Sequence, residues 1–153
     1  MMTTLNITAA NTEADMEACL LIRRKVFCLE QNVSAKLEFD GLDDQCRHYL
    51  AQRNGNPLGT ARARTITDEV VKFERVAVLK ENRRLYIGQA LMKFAMSDAV
   101  RDGAKLGTLH AQTYAAPFYH KLGFVVEGEE FEEAEIPHVK MVCVLSGTTQ
   151  IYR

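Results

Sequence analysis

Val76-Ala77-Val78-Leu79-Lys80-Glu81-Asn82-Arg83-Arg84-Leu85-Tyr86-Ile87-Gly88-Gln89-Ala90-Leu91 is the stretch on which the reading of this chain turns. An apolar run that reads as a strand passes into a basic turn, and the turn opens a long helix. The first backbone N–H groups of a helix have no partner inside it and point back at whatever precedes it. With the helix dipole and two neighbouring arginines, Arg83 and Arg84, they make a site for an anion.

Around this stretch the chain is ordinary in composition. It has 153 residues, 47% hydrophobic and 25% charged, which favours one globular domain able to bury a core. We expect a single domain over residues 5–145 and a C-terminal tail over 146–153. No apolar run reaches the ~18 residues of a membrane span. Residues 1–11 lack a basic segment followed by a long apolar one, so no signal peptide is expected. Cys19, Cys28, Cys46 and Cys143 show no C-x-x-C spacing. They fit a reduced, cytoplasmic setting better than a disulfide framework, and no metal site is expected.

The net charge of −1 argues against a broad basic face for nucleic acid. It hides an asymmetry. Residues 127–135 hold six of the 20 acidic side chains and no cation, so 19 cationic side chains face 14 anionic ones elsewhere. That acidic run is read as a loop, either simply solvated or attracting a cationic substrate.

Hydrophobic periodicity orders the elements. Residues 5–9 read as a strand. Thr12 with Asp15 signals a helix start, and the helix should end near Cys28. Residues 30–45 read as a polar loop with one short helical turn. Residues 46–53 and 58–66 read as strands joined at Asn54-Gly55, a pair suited to a tight turn with positive φ at both centres. A third strand covers 70–79. A helix over 86–103 shows a polar stripe at Gln89, Lys93, Ser97 and Arg101. Residues 106–112 form a strand and 115–122 a short helix closed by Gly123. Residues 124–127 and 139–145 form the last strands. The order is β-α-β-β-β-α-β-α-β-β, a mixed α/β or α+β sheet with helices on its faces.

The strand Phe73-Glu74-Arg75-Val76-Ala77-Val78, the turn from Arg83 to Gly88, and Ala116-Pro117-Phe118-Tyr119-His120-Lys121-Leu122-Gly123-Phe124 together resemble the GCN5-related N-acetyltransferase (GNAT) superfamily. Ile22-Arg23-Arg24-Lys25-Val26-Phe27, Leu109-His110-Ala111-Gln112 and Ile136-Pro137-His138-Val139-Lys140-Met141 resemble its ElaA/YjcF-like branch. The resemblance covers about residues 5–145 and rests on the order and spacing of short motifs. It implies a mixed central sheet of about seven strands, about four helices and a splayed parallel strand pair. It further implies acetyl-CoA as co-substrate and direct attack by a primary amine, carried on a small molecule or a peptide, in a ternary complex. No nucleic-acid or membrane partner is implied, and a homodimer is compatible with it.

In relatives the strand matching Val76, Ala77 and Val78 offers its backbone to the pantetheine amides, and a backbone N–H near Val78 polarises the thioester carbonyl. The turn in relatives reads Gln/Arg-x-x-Gly-x-Gly/Ala. Here it aligns as Arg83-Arg84-Leu85-Tyr86-Ile87-Gly88, and residues 84–89, through Gln89, are implied to hold the pyrophosphate. Tyr86 stands where relatives have the first glycine, and Arg84 replaces another that is common. Glycine normally lets backbone approach phosphate. Tyrosine can serve if its ring points away, because the N–H does the binding, and Arg83 and Arg84 add charged donors. The competing reading makes both arginines solvated surface.

Tyr119 matches the tyrosine that protonates the departing thiolate. A phenol near pKa ~10 can donate to a thiolate whose acid is near ~8.5, above all in a dry site; the alternative is core packing. Gln112 matches an asparagine that contacts pantetheine or the substrate side. Glu74 has the parity of Val76 and Val78 and is the leading candidate for general base, against a plain salt bridge. His110 and His138 are its rivals. Two other functions remain open: a non-catalytic acyl-CoA binder or sensor, and a nucleotide-binding module, the latter weakened by the lack of G-x-x-x-x-G-K-[ST].

Overall fold

A computed structural model describes residues 4–145 of the chain. The tail expected at 146–153 lies outside the described residues. Eight strands form one mixed sheet among these residues: β1 Asn6–Ala9, β2 Arg47–Arg53, β3 Asn56–Thr65, β4 Val70–Val78, β5 Leu106–Gln112, β6 Val125–Val126, β7 Phe131–Glu133 and β8 Ile136–Val144. The helices are α1 Glu13–Arg23, α2 Ala35–Glu38, α3 Ile87–Arg101 and α4 Ala116–His120. Strand order is β1-β2-β3-β4-β5-β8-β6, with β7 added on β8.

The chain packs as two compact units. Among the described residues one holds 4–63 together with Arg75–Ala95; the other holds Arg64–Glu74 and residues 96–145. In the first unit, Cys19, Ile22 and Val26 pack with Leu50 and Ala77. Their three- and four-residue spacing puts them on one helical face. Tyr49 meets Phe94 edge-on at 5.7 Å. A Cβ on Gly59 would stand 3.0 Å from Leu91, 3.1 Å from the Ala77 carbonyl and 3.3 Å from Ile87. Glycine there lets the start of α3 lie directly on β3. The β2–β3 turn has φ of 54° at Asn54 and 75° at Gly55, as that dipeptide demands.

In the second unit, Phe73 packs edge-on against Phe124 at 6.3 Å, and Leu109 and Met141 are buried. The parallel ladder of β4 with β5 pairs Val70, Val71, Lys72 and Phe73 with Leu106, Gly107, Thr108 and Leu109. All of β5 pairs antiparallel with β8.

The structure corrects two details of the sequence reading. The first helix does not end near Cys28. After Arg23 it widens into a π-helical stretch, Arg24–Glu30, capped by the Gln31 N–H on the Val26 carbonyl at 3.1 Å. The sheet has eight strands instead of seven, because the acidic run contains β7. Phe131 gives that run an apolar residue in register with His138, and positive φ at Ala134 and Glu135 turns it back into β8. Arg75, with φ of 56°, interrupts β4 directly after Glu74. The burial alternation nevertheless runs on across it, with Val71, Phe73 and Ala77 buried and Glu74, Val76 and Val78 half-buried.

Candidate active site

The turn before α3 is tightly wound. A 3₁₀ turn, Lys80–Asn82, leads to Arg83, and α3 begins at Ile87 after Tyr86. Arg84 has φ of 66° and Tyr86 φ of 62°. The two non-glycine residues thus adopt the backbone that glycine would supply, at ~1–2 kcal/mol each. The Tyr86 side chain is 78% exposed, so the ring points out and the backbone carries the turn. Tyr86 accepts the Ala90 N–H at 3.0 Å, closing the first turn of α3. The N–H groups of Ile87, Gly88 and Gln89 stand at the start of the helix, without helical acceptors.

The two arginines differ. Arg84 is exposed. Arg83 donates to both carboxylate oxygens of Glu30, at 2.6 and 2.7 Å, and through Nε to the Val78 carbonyl at 2.9 Å. Glu30 is held below its ordinary pKa by those hydrogen bonds. Val76, Ala77 and Val78 lie past the end of the recorded β4–β5 ladder, with Ala77 buried in the first unit's core.

The sequence reading missed what fixes Arg75. Arg75 reaches Glu38 at 3.1 Å and Asp40 at 3.3 Å. Fully buried Arg23 bonds Glu38 and Asp43, each at 2.8 Å, and buried Arg62 bonds Asp40 at 3.0 Å and Asp43 at 2.8 Å. The polar, acidic loop read at residues 30–45 supplies the carboxylates of a buried network that pins the left-handed residue of β4. The available signal was the placement of Arg23 on an apolar helix face and of Arg62 inside a strand. Burial pushes the Glu38 carboxyl up, against the nearby arginines. Hydrogen bonds from Arg62 hold Asp40 well below the carboxylate range. For Asp43, burial acts upward, but the bonds from Arg23 and Arg62 outweigh it and the net shift is down.

In the second unit, Tyr119 on α4 is half-buried, edge-on to Phe118 at 4.9 Å and to Phe124 at 6.2 Å. Desolvation drives its phenol above the ordinary value, with Tyr114 adding to the shift. The phenol therefore stays protonated at neutral pH. Glu74 is ion-paired with Arg64 at 2.9 Å and Lys72 at 3.4 Å, its side chain only 6% exposed. Gln112 ends β5 in register with His138. His110 shares a 2.9 Å hydrogen bond through Nδ1 with Glu133. His138 Nδ1 donates to the Ile136 carbonyl at 2.7 Å. Among the described residues no group of three His, Cys, Asp or Glu side chains is placed to hold a metal ion.

The mixed sheet, the left-handed turn before α3 and the half-buried tyrosine of α4 are the features that the resemblance leads one to expect. The model of the acetyltransferase (GNAT) domain matches residues 10–145. The chain is 38% identical to the uncharacterized N-acetyltransferase YjcF of Bacillus subtilis, over 87% of this chain and 95% of that protein. The crystal structure of a Lactobacillus plantarum protein assigned as an N-acetyltransferase superposes with a TM-score of 0.87 at 30% identity, covering 94% of this chain and 99% of that one. Escherichia coli ElaA superposes with a TM-score of 0.80 at 29% identity, covering 93% and 99%. The chain belongs to the GNAT acetyltransferase family, in the company of YjcF and ElaA.

Proposed function

We propose that this acetyltransferase moves an acetyl group from acetyl-CoA to a primary amine by direct attack in a ternary complex. The observation that carries the proposal is the left-handed backbone at Arg84 and Tyr86, which retains the phosphate-turn geometry despite both glycine replacements. The N–H groups of residues 87–89 and the exposed Arg84 hold the pyrophosphate. The backbone of residues 76–78 takes the pantetheine amides, with Gln112 contributing from β5. Acetyl-CoA supplies the activated acyl group. Tyr119, kept protonated by burial, gives its proton to the departing thiolate. A GNAT-family acetyltransferase from Elizabethkingia anophelis has been crystallised with acetyl-CoA bound, which supports the choice of co-substrate for the shared fold.

The acceptor is a small molecule or a peptide amine, and the acidic residues of the β7–β8 region favour a cation. No helix among the described residues is long and apolar enough to cross a membrane. Four free cysteines accord with a cytoplasmic setting. Thiol release from acetyl-CoA across a panel of amines tests the reading. Turnover that falls in Tyr119→Phe supports it. Acetyl-CoA binding without turnover, indifferent to Tyr119→Phe, would instead mark an acyl-CoA sensor, a reading favoured only by the engagement of Arg83 with Glu30.

A further inference from the structure

Strand β5 alternates strictly: Gly107, Leu109 and Ala111 are buried, while Thr108, His110 and Gln112 are partly exposed. Phe73, in register with Leu109, shares its face and meets Phe124, which meets Tyr119. Tyr119 therefore belongs to one face of the second unit's sheet. His110 belongs to the other, with its register partner Lys140 and with His138, the partner of Gln112. Phe131 joins that face, edge-on to His110 at 5.0 Å and stacked on His138 at 6.0 Å.

We propose that His110, oriented by Glu133, takes the proton of the acceptor ammonium. The inference rests on the amine-acylating reading above. Ionised Glu133 only accepts hydrogen bonds, so His110 Nδ1 donates to it at 2.9 Å. In the neutral ring this leaves the lone pair on Nε2, the arrangement a base needs. Glu133 also steadies the imidazolium that forms. The other groups on this face are otherwise engaged. Glu74 is paired with Arg64 and Lys72, and Lys140 with Glu127 at 3.1 Å. His138 donates to the Ile136 carbonyl, and its Nε2 lies 3.9 Å from Glu133.

The protons balance. An ammonium nitrogen carries two more protons than the amide nitrogen it becomes. His110 takes one and releases it to water. The freed lone pair forms the C–N bond as the C–S bond breaks. The sulfur takes a proton from Tyr119, which water restores, and the second proton leaves nitrogen to water on the His110 face. Base and acid act from opposite faces, so neither short-circuits the other.

The test compares thiol release by wild type, His110→Gln, His110→Asn and Glu133→Gln, with phenethylamine, spermidine and lysine as charged acceptors and methoxyamine as an uncharged one. Both His110 variants should lose about 100-fold or more in kcat/KM for charged amines, while keeping nearly full rate with methoxyamine. The acid limb of the pH profile for charged amines should vanish with His110 and shift in Glu133→Gln. Acetyl-CoA affinity by calorimetry should be unchanged in all three, which also reports folding. Wild-type turnover with an unaltered pH profile in the His110 variants overturns this assignment alone. Equal losses for charged and uncharged amines overturn it too. Absence of turnover with every amine overturns the acyltransferase reading and this inference with it.

Discussion

Glu30, the last residue of the π-helical stretch, grips Arg83 through both carboxylate oxygens, while Arg83 Nε ties back to the Val78 carbonyl. An arginine read as a phosphate ligand is thus already satisfied by protein groups. Two carboxylate oxygens are a fair chemical imitation of a phosphate edge. If they occupy the guanidinium in competition with the co-substrate, Glu30→Gln should tighten acetyl-CoA binding by up to about fivefold, the scale of a partly exposed ion pair. Calorimetry decides: weaker binding in Glu30→Gln would show that the pair is architecture.

Arg84 is exposed and makes no ion pair among the described residues. Arg84→Ala should weaken acetyl-CoA binding by about 1–3 kcal/mol, as for a hydrogen bond to a charged group. Equal affinity would remove Arg84 from the pyrophosphate site.

Tyr86 tests the turn itself. Tyr86→Gly relieves the left-handed strain but adds unfolded-state freedom, so stability should change by less than about 1 kcal/mol. Tyr86→Val, branched at Cβ where φ is 62°, should cost about 1–2 kcal/mol or more. Urea unfolding measures both, and indifference to valine would mean that the turn rearranges freely.

The buried network predicts a large effect at Arg23. Arg23→Met leaves Glu38 buried beside Arg75 alone and Asp43 beside Arg62. Loss of one partner from a buried ion pair costs about 3–5 kcal/mol. Pairing the change with Glu38→Gln should recover part of that loss. A cost below 1 kcal/mol, roughly that of a surface pair, would contradict the burial of the network.

Acid stability follows from the same groups. Asp40 and Asp43 have folded pKa values below their unfolded ones, so at acid pH the unfolded chain binds more protons. Their contribution is complete above the unfolded Asp value of ~3.9 and is lost as pH falls through the folded values. Glu38 is shifted upward, so its protonation above ~4.3 works the other way and adds stability as pH falls. The urea midpoint should hold level or rise slightly as pH drops toward that range, then decline below it. Asp40→Asn should flatten the decline; an unchanged acid limb would mean that Asp40 is not the group responsible.

What could be read from the sequence divides by the kind of signal. Asn54-Gly55 announces its turn because only a few residues accept positive φ at both centres, and β5 and α3 announce themselves by period. Tyr119 was legible through a motif and sits on the short helix expected for it. The conformation of Arg84 and Tyr86 was not legible, because chirality alone argues against it; tertiary anchoring of the turn overrides the local preference. The pairing of Asp40 and Asp43 with Arg62 joins residues about twenty positions apart, which no local pattern reports. β7 was hidden because its flanking glutamates resemble a solvated run. Glu74 was placed on the right strand, but its cationic partners come from side-chain contacts that parity does not encode.

The outward ring of Tyr86 has a further consequence. When surrounding packing enforces a left-handed turn, the letter at that position is released from its usual duty. Any search keyed to glycine would pass over such a turn, although its hydrogen-bond donors stand where they should. In this chain the vacated role gives an aromatic group a place on the surface beside the turn, open to acquire recognition of its own without disturbing the backbone beneath it.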